Sequence, residues 1–157
     1  MFQKIFLYDH QLEGKTALRI EVAYERETGE LLETENALRR KGFSVVKIRS
    51  SQISDAAAGA DVIYIMPGAL TEALKALCNK NKILSISPVS EVVEQGRATV
   101  SVTLSPDGRP SITINVVKAK SEGHSFSSSL LALAKVVSQA SPNDFSDLTF
   151  EGSSGKK

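Results

Sequence analysis

The chain has 157 residues, a length suited to one domain, and its 41% apolar and 24% charged residues suffice for an ordinary globular core. Nineteen basic residues against eighteen acidic ones leave a net charge of +1, which excludes the strong global field that gathers nucleic acid. One cysteine, Cys78, excludes an intramolecular disulfide, and no stretch approaches the roughly 20 consecutive apolar residues of a membrane span.

At the start, Phe2, Ile5, Phe6 and Leu12 recur at near-helical spacing and predict a short amphipathic helix. Its stripe, with Phe2, Phe6 and Tyr8, is richer in aromatics than an isolated solvated helix needs, so it packs either on its own sheet or against a second subunit. The segment carries no cleavage site of a signal peptide; Met1 is either a native start or the replacement for a removed export signal. "ALRIEVAY" (17–24) then alternates Leu18, Ile20 and Val22 with charged residues, as a strand does. "ELLETENALRRK" (30–41) resumes helical spacing, acidic early and basic late in accord with the helix dipole, and Gly42 stops it.

"FSVVKIRS" (43–50) reads as a second strand and "ISDAAAGA" as a short helix or helical turn. "DVIYIM" (61–66) is a nearly continuous apolar run, as expected of a central parallel strand covered on both faces. Pro67 and Gly68 end it, and a helix follows with Leu70, Leu74 and Leu77 on one side. Strand, tight turn and helix form the βα unit of a doubly wound fold. "KILSIS" (82–87) supplies a fourth strand, and "PVSEVVEQG" a short helix. "RATVSVTL" and "RPSITINV" alternate and are joined by "SPDG", which predicts an antiparallel hairpin. A polar link, "KAKSEGHS", leads to a closing helix, "SSLLALAKVVSQ". The expected fold is a three-layer Rossmann-like or flavodoxin-like α/β sheet of about six strands, mostly parallel, with a C-terminal antiparallel hairpin and flanking helices. It occupies residues 1–139, and residues 140–157 read as a flexible tail.

Few residues invite chemistry. His124 stands beside Ser125, Ser127, Ser128 and Ser129, but a nucleophilic serine needs a base and a third group that orients the base. Neither that grouping nor the G-x-S-x-G elbow is present, and Ser127 or Ser125 is better read as the cap of the last helix. The turn Pro67, Gly68, Ala69 and Thr71 is the natural place for a small ligand or anion, because doubly wound folds bind beyond the carboxyl ends of their strands. Turn geometry alone also accounts for it, and no nucleotide motif accompanies it. Glu27, Glu30, Glu33 and Glu35 read as a solvated helix face, and Cys78 as a small buried hydrophobe. His10 and His124 belong to no metal-ligand spacing, so no metal or cofactor is expected.

From residue 60 to 137 the motifs resemble the YfiR-like family of small bacterial α/β domains. "ADVIYI" is similar to that family's "cdVlfI", and "KILSISPVSEVVEQG" to its "pvLTVsd…fa..GG". Ile114, Asn115, Val116, Ala119, Gly123, Phe126, Ser127, Ser128, Leu130, Leu131, Leu133 and Ala134 resemble its closing "feIN…A…G…iSS.LL.LA". The first segment departs, keeping only Leu7-Tyr8 of an aromatic-rich "LYnFakFveWP", and Cys78 cannot supply the cysteine pairs of some members. The resemblance implies a divergent branch of an exported, often periplasmic group. Its members are non-enzymatic regulators, commonly homodimeric, that act by contact with a membrane-bound signalling or transport protein. The better understood members restrain a membrane-bound diguanylate cyclase and so lower cyclic di-GMP signalling. Neither nucleic acid nor membrane insertion enters this picture, and the alternative function is the small-ligand module at the strand ends.

Overall fold

The computed structural model describes residues 2–15, 17–52, 59–104 and 106–138, with the side chains of Phe2 and Gln3 outside the description. Seven strands form one sheet in the order β2-β1-β3-β4-β5-β6-β7. They are β1 (Arg19–Tyr24), β2 (Ser44–Arg49), β3 (Val62–Ile65), β4 (Leu84–Ser87), β5 (Val100–Leu104), β6 (Pro110–Asn115) and β7 (Lys135–Val137). The first five are mutually parallel, β6 returns antiparallel to β5, and β7 lies parallel to β6. The chain places β2 on one side of β1 and β3 on the other, so the order reverses between β1 and β3. Crevices for ligands arise at such a reversal.

Six α-helices, α1 (Phe2–Leu7), α2 (Gly29–Arg40), α3 (Glu72–Asn81), α4 (Ser90–Glu94), α5 (Val116–Ser121) and α6 (Ser128–Leu131), and one 3-10 turn, Ser50–Gln52, complete the described elements. Alternation along the strands divides the core in two. Ile20, Val22, Val62, Leu84, Ile86, Val100 and Ile114 meet Ile5 and Phe6 of α1 and Leu31 and Leu38 of α2. Ala23, Ile63 and Ile65 point the other way, onto Leu74, Leu77 and Cys78 of α3. The continuous apolar run of β3 is thus covered on both faces, as a central parallel strand requires. Thr28 and Thr71 cap α2 and α3, each hydroxyl accepting a backbone N–H three residues on, from Leu31 and Leu74 at 3.1 Å.

The last third departs from the expected pattern. The polar link contains a helix, α5, whose N-cap is Asn115; its side-chain oxygen accepts the Lys118 N–H at 3.0 Å. The predicted closing helix is a single turn, α6, and the chain then straightens into β7, where Val136 pairs with Ile114. β-branched Val136 and Val137 favour extended backbone. The edge of β6 offers them N–H and C=O partners that a longer helix would have left open. Of the expected turn at 53–60, residues 53–58 lie outside the described residues, as does the segment 140–157 read as a tail.

Candidate functional site

At the carboxyl ends of β1 and β3, a crevice of about 200 Å³ is lined by Glu25, Arg26, Thr28, Glu30, Met66 and Pro67. Of the four residues singled out for a ligand, Pro67 lines it. Thr71 spends its hydroxyl on the α3 cap, and Ala69 is buried with its N–H bonded to Met66 O at 3.0 Å. Gly68 has φ +85°, and Glu25 Oε1 stands 3.0 Å from the point where a Cβ would sit. A carboxylate at the turn opposes an anion, whatever the free N–H groups offer. Burial, with the charge of Glu30 added, pushes the Tyr64 phenol up to about 12.

A second centre lies where the two ends of the fold meet. Tyr8, Asp9 and His10 run antiparallel to Ser125, Phe126 and Ser127: Asp9 bridges Phe126, His10 N–H donates to Ser125 O at 2.9 Å, and Ser127 N–H to Tyr8 O at 2.9 Å. Beneath this two-stranded clasp, His124 Nδ1 bonds Asp9 Oδ2 at 2.6 Å and His124 Nε2 bonds the Lys82 carbonyl at 2.8 Å. Both side chains of the ion pair are fully enclosed. Asp9 also accepts the Gln11 N–H at 2.9 Å. Lys82 ends α3 in a left-handed conformation, φ 56°, which turns its carbonyl toward the imidazole. Burial acts to lower the His124 pKa, but the bond and charge of Asp9, the Lys82 carbonyl and the charge of Glu122 together hold it above the usual histidine range.

Adjoining this pair, the wholly buried Glu122 carboxylate accepts Ser85 Oγ–H at 2.6 Å, Thr99 Oγ1–H at 2.6 Å and Ser85 N–H at 3.0 Å. Lys118 Nζ stands 3.7 Å away and donates to Asn79 Oδ1 at 3.0 Å. Burial raises the Glu122 pKa, against the opposing pull of Lys118 and the hydroxyl donors. The row continues as a buried polar seam through Ser87, Ser101, Thr113 and Asn115, and Ser101 Oγ has no hydrogen-bond partner among the described residues. Cys78 is buried, and its pKa is raised well above a free thiol's by burial and then by Glu122. That setting makes it a small hydrophobe rather than a nucleophile.

Serine and histidine do meet, but in different pairs from those the sequence juxtaposes. Ser127 caps α6, its hydroxyl accepting the Leu130 N–H at 3.4 Å. His124 has both ring nitrogens committed, so no serine receives one. His10 Nδ1 instead reaches Ser125 Oγ at 3.1 Å on the exposed surface, and among the described residues no third group orients the ring in the manner of a triad. Among the described residues no three His, Cys, Asp or Glu side chains converge as metal ligands, and no helix is long and apolar enough to cross a membrane.

The face of α1 singled out as an interface turns largely inward. Phe6 is 4% exposed and meets Phe43 edge-on, with ring centroids 5.3 Å apart. Tyr8 is half-buried against the same cluster, and the Phe2 side chain lies outside the described residues. Among the described side chains of α1, the exposed apolar one is Leu7, 61% exposed.

The charged clasp was not legible as a site, since Asp9 and His124 lie 115 residues apart and neither belongs to a spaced motif. The closing pattern of the sequence does explain its position. Asn115 caps α5, and Gly123, φ +78°, brings the chain against Lys82. Phe126 bridges the N-terminal segment, and Ser127 and Leu130 set and bury the last turn. No curated protein matches the chain. The model of the YfiR/HmsC-like family matches residues 7–135, from the last residue of α1 to the first of β7. The chain therefore belongs to the YfiR/HmsC-like family.

Proposed function

We propose that the protein is a periplasmic regulator that acts by contact with a membrane-bound signalling protein, restraining a diguanylate cyclase and lowering cyclic di-GMP. Family membership over residues 7–135 carries this reading. The chemistry of the fold agrees with it. The conspicuous titratable groups, Asp9, His124, Glu122 and Lys118, are buried and paired with one another, an arrangement that builds a fold rather than a reaction centre. On this reading the regulator works as a homodimer, and the outer side of α1, with Leu7 and Tyr8, belongs to the contact surface together with Phe2. Phe6 supports that surface from within.

The test is co-expression, in the periplasm, with an inner-membrane diguanylate cyclase of the same cell, with cyclic di-GMP measured in extracts. The expected result is a drop in cyclic di-GMP and a complex recoverable from solubilised membranes, both weakened by Leu7→Glu. Unchanged cyclic di-GMP with no complex at matched expression refutes the regulatory reading.

A second reading rests on the crevice at the β1/β3 reversal. Its two carboxylates, Glu25 and Glu30, outnumber its one cation, Arg26, and so suit a cationic or neutral polar ligand better than the anion that the turn alone suggests. A thermal-shift screen of amines and neutral metabolites tests it: stabilisation lost in Glu25→Gln supports the site, and flat profiles across the set dismiss it.

A further inference from the structure

The clasp between the two ends of the fold is held by an unusual demand on one ring. Both partners of His124 are acceptors: the Asp9 carboxylate at Nδ1 and the Lys82 carbonyl at Nε2. Neutral imidazole has one N–H and one lone pair, so against an ionised Asp9 only the imidazolium satisfies both contacts. Loss of its proton turns a lone pair toward an oxygen in an enclosed place, where an unmatched polar contact is costly. Among the described residues the other polar ties of the N-terminal segment to the rest of the domain are two backbone bonds, His10 N–H to Ser125 O and Ser127 N–H to Tyr8 O, the exposed His10–Ser125 pair and the Lys15–Asp61 ion pair; the apolar hold comes from Ile5, Phe6 and Leu12 in the core cluster.

We infer that the Asp9–His124–Lys82 junction is a proton-dependent latch, which holds α1 and residues 8–12 on the domain while His124 is protonated and frees them when it is not. The ionisable groups turned toward the ring are Asp9 from the segment after α1 and Glu122 from the end of α5, the latter paired with Lys118. α3 contributes the uncharged Lys82 carbonyl, and the Lys82 side chain lies along Gly123. Because these neighbours hold the His124 pKa above its ordinary value, the latch is closed below about pH 6.5 and opens as the pH rises through the raised value. Opening withdraws Ile5, Phe6 and Leu12 from the core cluster and bares Leu18 and Phe43, which line the groove beside them. The device changes the apolar surface of the protein without unfolding the sheet.

Amide hydrogen exchange of the full chain from about pH 6 to about pH 9, expressed as protection factors, tests the latch alongside an NMR titration of the His124 ring. The expected result is at least a tenfold loss of protection at the amides of His10, Leu12 and Ser127, with the midpoint of the ring titration, while the β1 and β3 amides keep theirs. In His124→Gln the same amides lose this pH dependence. Constant protection across the wild-type titration overturns the latch, and so does loss in step with β1 and β3. Retention of the wild-type pH dependence in His124→Gln overturns it as well. Should that variant fail to fold, the wild-type titration alone decides.

Discussion

Asp9 and His124, 115 residues apart, join the first and last parts of the domain through a 2.6 Å bond between two side chains that water does not reach. Removing one member of such a pair strands the other in the interior, typically at about 3 to 5 kcal/mol. Asp9→Asn is therefore expected to lower the unfolding free energy by about 3 kcal/mol near pH 6. The raised His124 pKa fixes the sign with pH. The pair contributes fully below the unfolded histidine value, about 6.5, and less as the pH rises through the folded one. Urea unfolding should show the gap between wild type and Asp9→Asn narrowing toward about pH 9. A gap that widens with pH contradicts the protonated pair.

Glu122 and Lys118 form the neighbouring buried pair and share a different weakness. Glu122→Gln leaves the Lys118 ammonium with Asn79 as its close acceptor, in a place where charge is costly. A loss of about 2 to 4 kcal/mol is expected. Adding Lys118→Met removes the stranded charge, so the double variant should recover part of that loss. A double-mutant cycle by urea unfolding measures the coupling, and strict additivity would show that the two charges do not feel each other.

How much of this was legible follows from where hydrophobic pattern and structure agree. β1 through β3, α2 and α3 advertise themselves because their buried faces are mainly apolar and their ends are marked by Thr28, Gly42, Pro67, Gly68 and Thr71, and β4 does so through Leu84 and Ile86 although its other face buries Ser85 and Ser87. α5 was hidden because Lys118 and Glu122, on its buried side, are charged; a helix that buries ions has no apolar stripe. The alternation of β5 and β6 was visible, yet its polar half, Thr99, Ser101, Thr113 and Asn115, faces not water but the seam beneath Glu122. β7 reads as helix in the sequence because "LLALAKVV" fits both periods over so short a run, and only the open edge of β6 chooses between them. The Asp9–His124 pair needed the fold itself, since no local pattern joins residues so distant in the chain.

Asn115 serves two elements at once, accepting the Lys118 N–H at the start of α5 and donating from Nδ2 to Val93 O at 2.9 Å. Asn115→Ala removes the cap and leaves a buried carbonyl without that donor. A loss of about 2 kcal/mol is expected. Asn115→Asp restores the cap acceptor but cannot donate to Val93, so it should recover less than the full amount. Equal stability of the Ala variant and wild type in urea unfolding would rule out both roles.

Gly123 and Gly108 separate backbone strain from close packing. Both have positive φ, +78° and +84°, so alanine at either adopts a left-handed conformation at roughly 1 kcal/mol or more. At Gly108 a Cβ meets nothing within 4 Å among the described residues, whereas at Gly123 it lands 3.0 Å from Lys82 Cδ and Cγ and 3.2 Å from Lys82 Cβ. The long stem of Lys82 can swing away, but its Cβ is fixed by the backbone whose carbonyl holds His124 Nε2. Gly123→Ala should therefore cost about 1 to 3 kcal/mol more than Gly108→Ala, as overpacking does. It should also shift the His124 ring resonances in NMR spectra, which Gly108→Ala leaves in place. Equal losses at the two positions, with unmoved His124 signals, would mean that the approach of Gly123 to Lys82 contributes nothing to the clasp.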